Sequence, residues 1–599
     1  MERRRLMRSE YSLSGLAAFV MLAFCFTIGF LVLAFRLKTE QVDGAAEYRR
    51  QMQAQSFRRV QTVGVRGRIL DRRGVVLAGN KPVVNIIINP ETFRAKKRGE
   101  KTEDKILDAL AKAAVVIGRE SVVDIDDVRR HLRQALAIPL TVWRDLTEVE
   151  LARFSENQDE LDGFECIVES ERSYPYGSLA AHILGRVGRD RQPQNIGESK
   201  MNFVSKELCG RDGLELFYDT YLRGMPGEDR LLVDARGFAA SRETMVAPHD
   251  GFDLKLTLDA SLQYAAERAL AGCRGAFVAI DPRDGSVRAM VSSPSFDPRE
   301  CVPVFPKKIY ERYKNDPAKP LLNRAVAGLY APGSTFKPIT ALAALKNGLN
   351  PSKTYECIGY FHNAGMKIRC ARTWGHGNVD LASALKDSCN PYFCEIGLNA
   401  GTNAINTICR VLGLGKKTGI DFPIEAEGLI PDATVKAKRD PNVRWNSGDV
   451  AQTAIGQGLL LVTPLQMSLV AAALGKGRLP RPRINSDVPI MATSLRIPLS
   501  HLNEVRKGMR KVVESGTGRR AGENVNAFII GKTGTAEIGS RDNRRKNTWF
   551  IAYAEPNKDS KILEPLAVAL VVENGESGGA TAAPKVGEIL RSYYGEVTK

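Results

Sequence analysis

Three short strings occur in one order along this chain: Ser334-Thr335-Phe336-Lys337, then Ser388-Cys389-Asn390, then Lys532-Thr533-Gly534-Thr535. Each is weak alone, since a Ser-x-x-Lys string arises about once by chance in a chain of this length. Together they supply an activated serine, a polar bridge and a cationic strand, which is the equipment of acyl transfer through a serine ester. A serine hydroxyl is a poor nucleophile until a base takes its proton. Lys337 can be that base only when neutral, and burial beside a second cation such as Lys532 pushes a lysine toward neutrality. The bland alternatives are a serine that merely caps a helix and a polar turn at Ser388-Cys389-Asn390.

The elements around these strings follow from local chemistry. Pro332-Gly333 precedes Ser334, and Ile339 to Lys346 has helical composition that stops at Asn347-Gly348. Ser334 is therefore expected in the first turn of a helix, with Lys337 three residues on and on the same face. That helix start also brings backbone N–H groups near a developing oxyanion. Ser388 offers a hydroxyl for proton relay, and Asn390 an amide to hold a peptide carbonyl. Lys532-Thr533-Gly534-Thr535 continues the apolar Phe528-Ile529-Ile530 strand. Gly534 has no side chain to obstruct a peptide pairing along that strand edge. Lys532 would bind the peptide's terminal carboxylate, and the Thr535 N–H would be a second oxyanion donor.

More strands are expected at Leu254–Leu258, Ala276–Ile280, Val287–Val291, Asn547–Ala554 and Leu566–Val572. Asp259 should cap a helix to about Ala271, and Lys585–Tyr593 should close the chain as a helix. Five strands, the one through Lys532 among them, should form one antiparallel sheet, with helices between residue 334 and about 475 as the other layer. Upstream, Val65–Asn80 reads as a hairpin turning at Asp71-Arg72-Arg73-Gly74. Ile106, Leu110, Ala113 and Ile117 keep one helical face, and Val128, Leu132 and Leu136 mark a second. No catalytic cluster lies there.

The composition, 43% hydrophobic and 26% charged over 599 residues, is that of globular domains. The net charge of +18 comes without a zinc-finger, RNP-type or helix-turn-helix signature, so no nucleic-acid partner is expected. Leu13–Phe35 is uncharged, mostly apolar and long enough to span a bilayer, with Arg3, Arg4, Arg5 and Arg8 ahead of it. It reads as an uncleaved anchor with the remainder outside the cytoplasm. A cleavable signal peptide, the rival reading, would carry a shorter apolar region and a small-residue site close behind it. The expected division is a cytoplasmic tail 1–12, anchor 13–35, stalk 36–60, pedestal 61–250 and catalytic domain 251–599.

Ordered in this way, the three strings resemble those of the penicillin-binding proteins, the D,D-transpeptidases of bacterial cell-wall synthesis. The likeness extends to Arg66-Gly67-Arg68-Ile69-Leu70-Asp71-Arg72-Arg73-Gly74, to Gly210-Arg211-Asp212-Gly213-Leu214-Glu215 with Leu222-Arg223-Gly224, and to Asn323-Arg324-Ala325. No glutamate-rich glycosyltransferase signature lies upstream, so class B is implied. The resemblance implies an α+β chain: one N-terminal transmembrane helix, an elongated mixed pedestal, and a serine β-lactamase-like transpeptidase domain on a five-stranded antiparallel sheet. It makes Ser334 the acylated nucleophile and Lys337 its base. Ser388 and Asn390 form the second motif, and Lys532, Thr533 and Gly534 the third. Stem peptides would be substrates and β-lactams covalent inhibitors. A glycosyltransferase of the shape-elongation-division-sporulation family and other elongation proteins would be partners, at the bacterial inner membrane. A carboxypeptidase or β-lactamase-type hydrolase and a non-catalytic scaffold stay open as alternatives.

Cys357, Cys370, His376 and Cys389 lie in one segment spanning the first two strings. Four thiolate and imidazole donors suit a closed structural zinc site. The segment resembles the metal-binding loop of some penicillin-binding protein 2 enzymes of cell elongation, where aspartates hold the first two positions. Cysteines there make the set softer and more zinc-like. A Cys357–Cys370 disulfide, free thiols, and His362 as the imidazole donor stay open. No organic cofactor is implied.

Overall fold

The computed structural model describes residues 3–47, 56–97, 99–189, 203–204, 208–302, 304–363, 366–539 and 544–597. Helix α1 (Arg3–Lys38) carries the apolar segment. Among the described residues it belongs to the one helix long and apolar enough to cross a membrane, and that span is wholly unburied. The stalk expected at 36–60 lies partly outside the described residues, which omit 48–55.

The pedestal is built on two long antiparallel strands, β1 (Val76–Ile88) and β2 (Phe164–Ser173). The expected hairpin forms: Ile69 faces Ala78, and the Asp71 carboxylate accepts from the backbone N–H groups of Arg73 and Val75 across the turn. A helix over Thr102–Ile117 buries Ile106, Leu110, Ala113 and Ile117, the four residues of the predicted stripe. The next helix, Ile125–Gln134, stops before Leu136 because Ala135 leaves helical geometry. Glu215 ties this region together, fully buried between Arg66 at 2.7 Å and Arg172 at 2.7 Å. Burial pushes the Glu215 carboxyl upward, but the two guanidinium groups outweigh it and hold it below its usual range.

The catalytic half is one sheet covered on both faces. Its strands are β3 (Gly275–Ile280), β4 (Val287–Ser293), β5 (Ala527–Ile538), β6 (Arg545–Pro556) and β7 (Leu566–Glu573), in the order β4-β3-β7-β6-β5. All pairings are antiparallel. Alternate residues of β7 enter two separate cores: Leu566, Val568, Leu570 and Val572 pack on one face, Ala567, Ala569 and Val571 on the other. A sheet buried on both faces needs such a continuous apolar run. The first face is covered by α2 (Ala260–Ala269), capped by Asp259, and by the C-terminal helix. The second is covered by α3 (Lys337–Lys346), α4 (Asn390–Val411), α5 (Pro464–Lys476) and α6 (Leu499–Glu514). The C-terminal helix is α7 (Ala583–Tyr594).

One expected strand behaves differently. Only Leu254–Lys255 runs as a strand, paired in parallel with Ile69–Leu70 of the pedestal, and Leu256 adds an isolated antiparallel bridge to Asn485. The reason is local: Leu256 N–H donates to Leu70, Thr257 N–H to Ile484, and Asp259 already caps α2.

Helix α3 is the key placement. Every residue from Lys337 to Leu345 is buried, so it is a central helix, apolar all round except for its first residue and Thr340. That removes Lys337 from water.

Candidate active site

Ser334 lies in a 3₁₀ turn, Gly333–Phe336, that leads directly into α3 at Lys337. The turn is pressed against β5, the edge strand of the sheet. The Ser334 hydroxyl is half-buried and makes no hydrogen bond among the described residues.

Lys337 and Lys532 are each 0% exposed, and neither forms an ion pair among the described residues. Ser388 bridges them. Lys337 Nζ donates to Ser388 O at 2.7 Å and Asn390 Oδ1 at 2.7 Å, and lies 3.2 Å from Ser388 Oγ. Lys532 Nζ lies 3.0 Å from the same Oγ and 3.1 Å from Thr533 O. Burial pushes Lys337 down to about 8. Burial, and then the Lys337 charge, push Lys532 down as well. Two unpaired ammonium groups this close in a dry site cannot both persist. The geometry suits one proton arrangement. A neutral Lys337 spends two N–H bonds on the carbonyl oxygens at 2.7 Å and keeps its lone pair, while a charged Lys532 donates to Ser388 Oγ. Ser388 can then pass its own proton toward Lys337.

The backbone at Ser388 is shaped for this. Its φ of 56° is left-handed, a conformation glycine usually takes just past a helix end. Here it ends the helix over Leu381–Lys386 and turns both Ser388 O and Ser388 Oγ toward Lys337. Asn390 begins α4, accepts from Lys337 and donates to Arg369 O at 2.9 Å.

On β5 the carbonyls of Ile529, Thr533 and Thr535 accept from the side chains of Arg510, Lys532 and Gln457. Odd-numbered residues therefore turn their backbone polar groups to the open edge, and the Thr535 N–H lies on that edge. Gly534 also has a packing task. A Cβ there would sit 2.8 Å from Thr335 Cγ2 and 2.9 Å from Pro332 O, so its bareness lets the Ser334 turn approach the strand. Thr533 Oγ1 is 2.6 Å from Thr517 Oγ1, and Thr535 Oγ1 accepts from Gly578 N–H.

The cysteine segment converges behind the second string. The ligand atoms of Cys357, Cys370, His376 and Cys389 lie within 4.8 Å of one another. His376 Nδ1 is 3.3 Å from Cys370 Sγ and 3.7 Å from Cys357 Sγ. The Cys389 thiol pushes Cys370 down by donating to it, and Cys389 is pushed up because it holds that proton. Cys357 and Cys370 stand here as free thiols, both turned to His376. His362 stands exposed on the hairpin Tyr360–Asn363 and Met366–Arg369, outside this cluster. Three buried thiols and one imidazole fit a tetrahedral zinc donor set.

Sequence reasoning missed Gly456, Gln457, Thr517 and Asn547, which reach the site or its rim from distant segments. The glycine-flanked Gly456-Gln457-Gly458 string, just after a helix, was the one local sign.

Such a site, on such a sheet, defines a serine acyltransferase that works through a covalent ester. The penicillin-binding protein transpeptidase domain model matches residues 275–591, and the penicillin-binding protein dimerisation domain model matches residues 61–256. Peptidoglycan D,D-transpeptidase MrdA of Acinetobacter baumannii is 33% identical over 92% of this chain and 84% of its own length. MrdA of Escherichia coli K12 is 31% identical over 94% and 91%. Helicobacter pylori penicillin-binding protein 2, solved with MreC, aligns over 90% of this chain and 98% of its own, with a TM-score of 0.74 at 26% identity. Pseudomonas aeruginosa penicillin-binding protein 2, solved with WCK 5153, aligns over 89% and 96%, with 0.64 at 28%. The chain belongs to the class B penicillin-binding proteins, of the penicillin-binding protein 2 type.

Proposed function

We propose that this chain is a peptidoglycan D,D-transpeptidase in which Ser334 attacks the penultimate carbonyl of a stem peptide ending in D-Ala-D-Ala. The observation that carries this is the buried array Lys337–Ser388–Lys532 beside a serine on a sheet edge. Neutral Lys337 takes the Ser334 proton as Oγ attacks. The N–H groups of the Ser334 turn and of Thr535 hold the oxyanion. The C–N bond breaks, and the terminal D-Ala leaves after receiving a proton through Ser388. Asn390 holds the peptide backbone, while Lys532, Thr533 and Gly534 hold its terminus. An amine on a neighbouring stem then attacks the ester, forms the crosslink and frees Ser334. Pedestal and catalytic domain divide at residues 250 and 251.

The test is intact-mass analysis of the full-length chain in detergent, with and without penicillin. A stable single adduct, absent in Ser334→Ala, is expected. No adduct would overturn the function, and a transient adduct with hydrolysed drug would make the chain a hydrolase.

A role in elongation, at the bacterial inner membrane with α1 as anchor, is supported by the cysteine loop and by the likeness to MrdA proteins. A polymerising glycosyltransferase of the shape-elongation-division-sporulation family is the matching partner. A solved peptidoglycan synthase complex that coordinates polymerization and crosslinking aligns over 96% of this chain, with a TM-score of 0.72.

Cys357, Cys370, His376 and Cys389 would hold a structural zinc ion. Bound there, the ion would crosslink the loop to the segment carrying Ser388 and Asn390. Those two side chains meet Lys337 while Cys389 turns to the other thiols. Removing metal with a strong chelator, followed by elemental analysis, should lower Tm by about 5–10 °C and slow penicillin acylation. Complete removal with neither change would refute the site.

A further inference from the structure

A cavity of about 460 Å³ lies in the helical layer, and the chemistry above uses none of its walls. Two short helices, Ala433–Arg439 and Ser447–Ala454, build it together with the turn between them. Gly458 closes one side, and it also borders the groove that leads past Gln457 to the sheet edge. Gly458 stands two residues, at most about 7 Å, from Gly456, whose carbonyl accepts from the Gly333 N–H of the nucleophile turn. The cavity therefore adjoins the reacting centre without including it.

Trp445 is its aromatic wall. The indole Nε1–H donates to Thr402 Oγ1 at 3.0 Å, and part of the ring packs against the core. The polar edge is thus satisfied and the ring is held in place. What remains for a ligand is apolar ring surface, continued by Val443 and Leu459.

The charges on the other walls cancel. Lys436 pairs with Asp449 at 2.6 Å. That leaves one exposed cation, Arg439, and one exposed anion, Asp440, neither in an ion pair among the described residues. Asp440 Oδ1 takes the Asn442 N–H, and Oδ2 stays open. The half-buried Gln452 amide makes no hydrogen bond among the described residues. The cavity so offers a guanidinium, a carboxylate and an amide, with no net charge.

These features select a ligand class. A phosphate or a carboxylate-rich peptide finds no excess of cations there. An extended peptide also finds no open strand edge to pair with, since no wall belongs to a strand. A sugar ring matches. Its C–H surface is apolar enough to lie on an indole, and its hydroxyl groups both donate and accept. The volume suits a ligand of disaccharide size.

We infer that this cavity binds an amino-sugar unit of the glycan strand that carries the stem peptides. The ring lies on Trp445, Arg439 and Asp440 bond its hydroxyls, and Gln452 bonds its acetamido group. A strand seated there brings its own stem to Ser334, since three or four extended residues span about 10–14 Å. The inference rests on the transpeptidase function proposed above for the identity of the strand, and it adds a sugar subsite to that function.

The experiment is saturation-transfer NMR on the full-length chain in a sugar-free detergent. Chitotetraose, a neutral N-acetylglucosamine tetramer, and a free stem pentapeptide serve as separate probes. The wild type is expected to transfer saturation to the ring and acetamido protons of the sugar. Trp445→Leu keeps an apolar side chain without the aromatic ring, and Arg439→Ala changes an exposed position that the fold does not need. Each should weaken transfer to the sugar about five-fold or more. Tm and penicillin titration count folded sites in every preparation, and Arg439→Ala carries the test alone if Trp445→Leu does not fold. A wild type that leaves chitotetraose unsaturated, or folded variants that keep full transfer, overturns the inference while leaving the transpeptidase standing. Transfer to the pentapeptide that is lost in Trp445→Leu, with none to the sugar, gives the cavity to the peptide and overturns it too. Absence of a penicillin adduct on the wild type overturns the transpeptidase and, with it, the identity of the strand.

Discussion

Lys337→Met lowers the rate of Ser334 acylation by penicillin about 10²–10⁴-fold, the span that loss of a general base ordinarily produces. Methionine keeps an unbranched apolar side chain at a fully buried position beside the Phe393 ring, so the fold should survive. The lost function is the lone pair. The sign of the pH dependence follows from burial, which lowers Lys337 to about 8. Only the neutral amine accepts a proton, so the wild-type rate should climb with pH, nearly ten-fold per unit below that value, and level off above it. The variant should keep its melting temperature and lose the inflection. Stopped-flow acylation with a chromogenic cephalosporin, from pH 6 to 10, reads both. An inflection that persists in Lys337→Met would assign the base to another group, with Lys532 the first to suspect.

Much of this was legible locally. The stripe Ile106, Leu110, Ala113 and Ile117 follows helical period, and it is the buried face of the helix over Thr102–Ile117. Apolar runs of strand length, such as Leu566–Val572, mark strands of a sheet covered on both sides. Turn chemistry at Asp71–Gly74 and the cap at Asp259 act within a few residues, so they read directly from sequence. The pairing of the strand at Leu254–Leu258 is a matter of another kind. Its alternation is genuine, but alternation does not name a partner, and that partner lies nearly two hundred residues away. Ile69 and Leu70 claim it.

The three catalytic strings were legible because each is a local spacing, and their convergence on one serine hydroxyl needed only a common domain. What could not be read was the packing that holds them at bonding distance. Gln457 reaches Thr535 O, Thr517 reaches Thr533, and Gly578 reaches Thr535 from segments with no motif of their own. A strand edge suggests that Gly534 leaves room for substrate. Its bareness also admits Thr335 and Pro332, a contact that no local spacing announces. The cysteine set shows the opposite case. Its donors are spread over more than thirty residues, yet donor type, together with the resemblance to a metal-binding loop, pointed to the four that meet.

Gly456→Ala tests the least legible part of the site. Gly456 has φ of 74°, and a Cβ there would lie 2.0 Å from Gly333 O. Gly333 is itself left-handed, donates to Gly456 O at 2.8 Å, and has room for no side chain of its own, since its Cβ would meet Thr535 O at 2.7 Å. The two glycines thus hold the Ser334 turn between the Gly456 loop and β5. An alanine at 456 must push that turn away, because neither backbone can yield without losing its hydrogen bond. Left-handed strain and overpacking together should cost about 2–4 kcal/mol of stability, read by chemical denaturation. Displacing the nucleophile by about 1 Å should slow penicillin acylation about 100-fold. Gly272→Ala separates the two effects. Its φ of 72° imposes the same backbone strain, but no atom lies within 4 Å of the added methyl. That variant should lose about 1–2 kcal/mol and acylate normally. If Gly456→Ala behaved like Gly272→Ala, the back-to-back glycines would not be what positions Ser334.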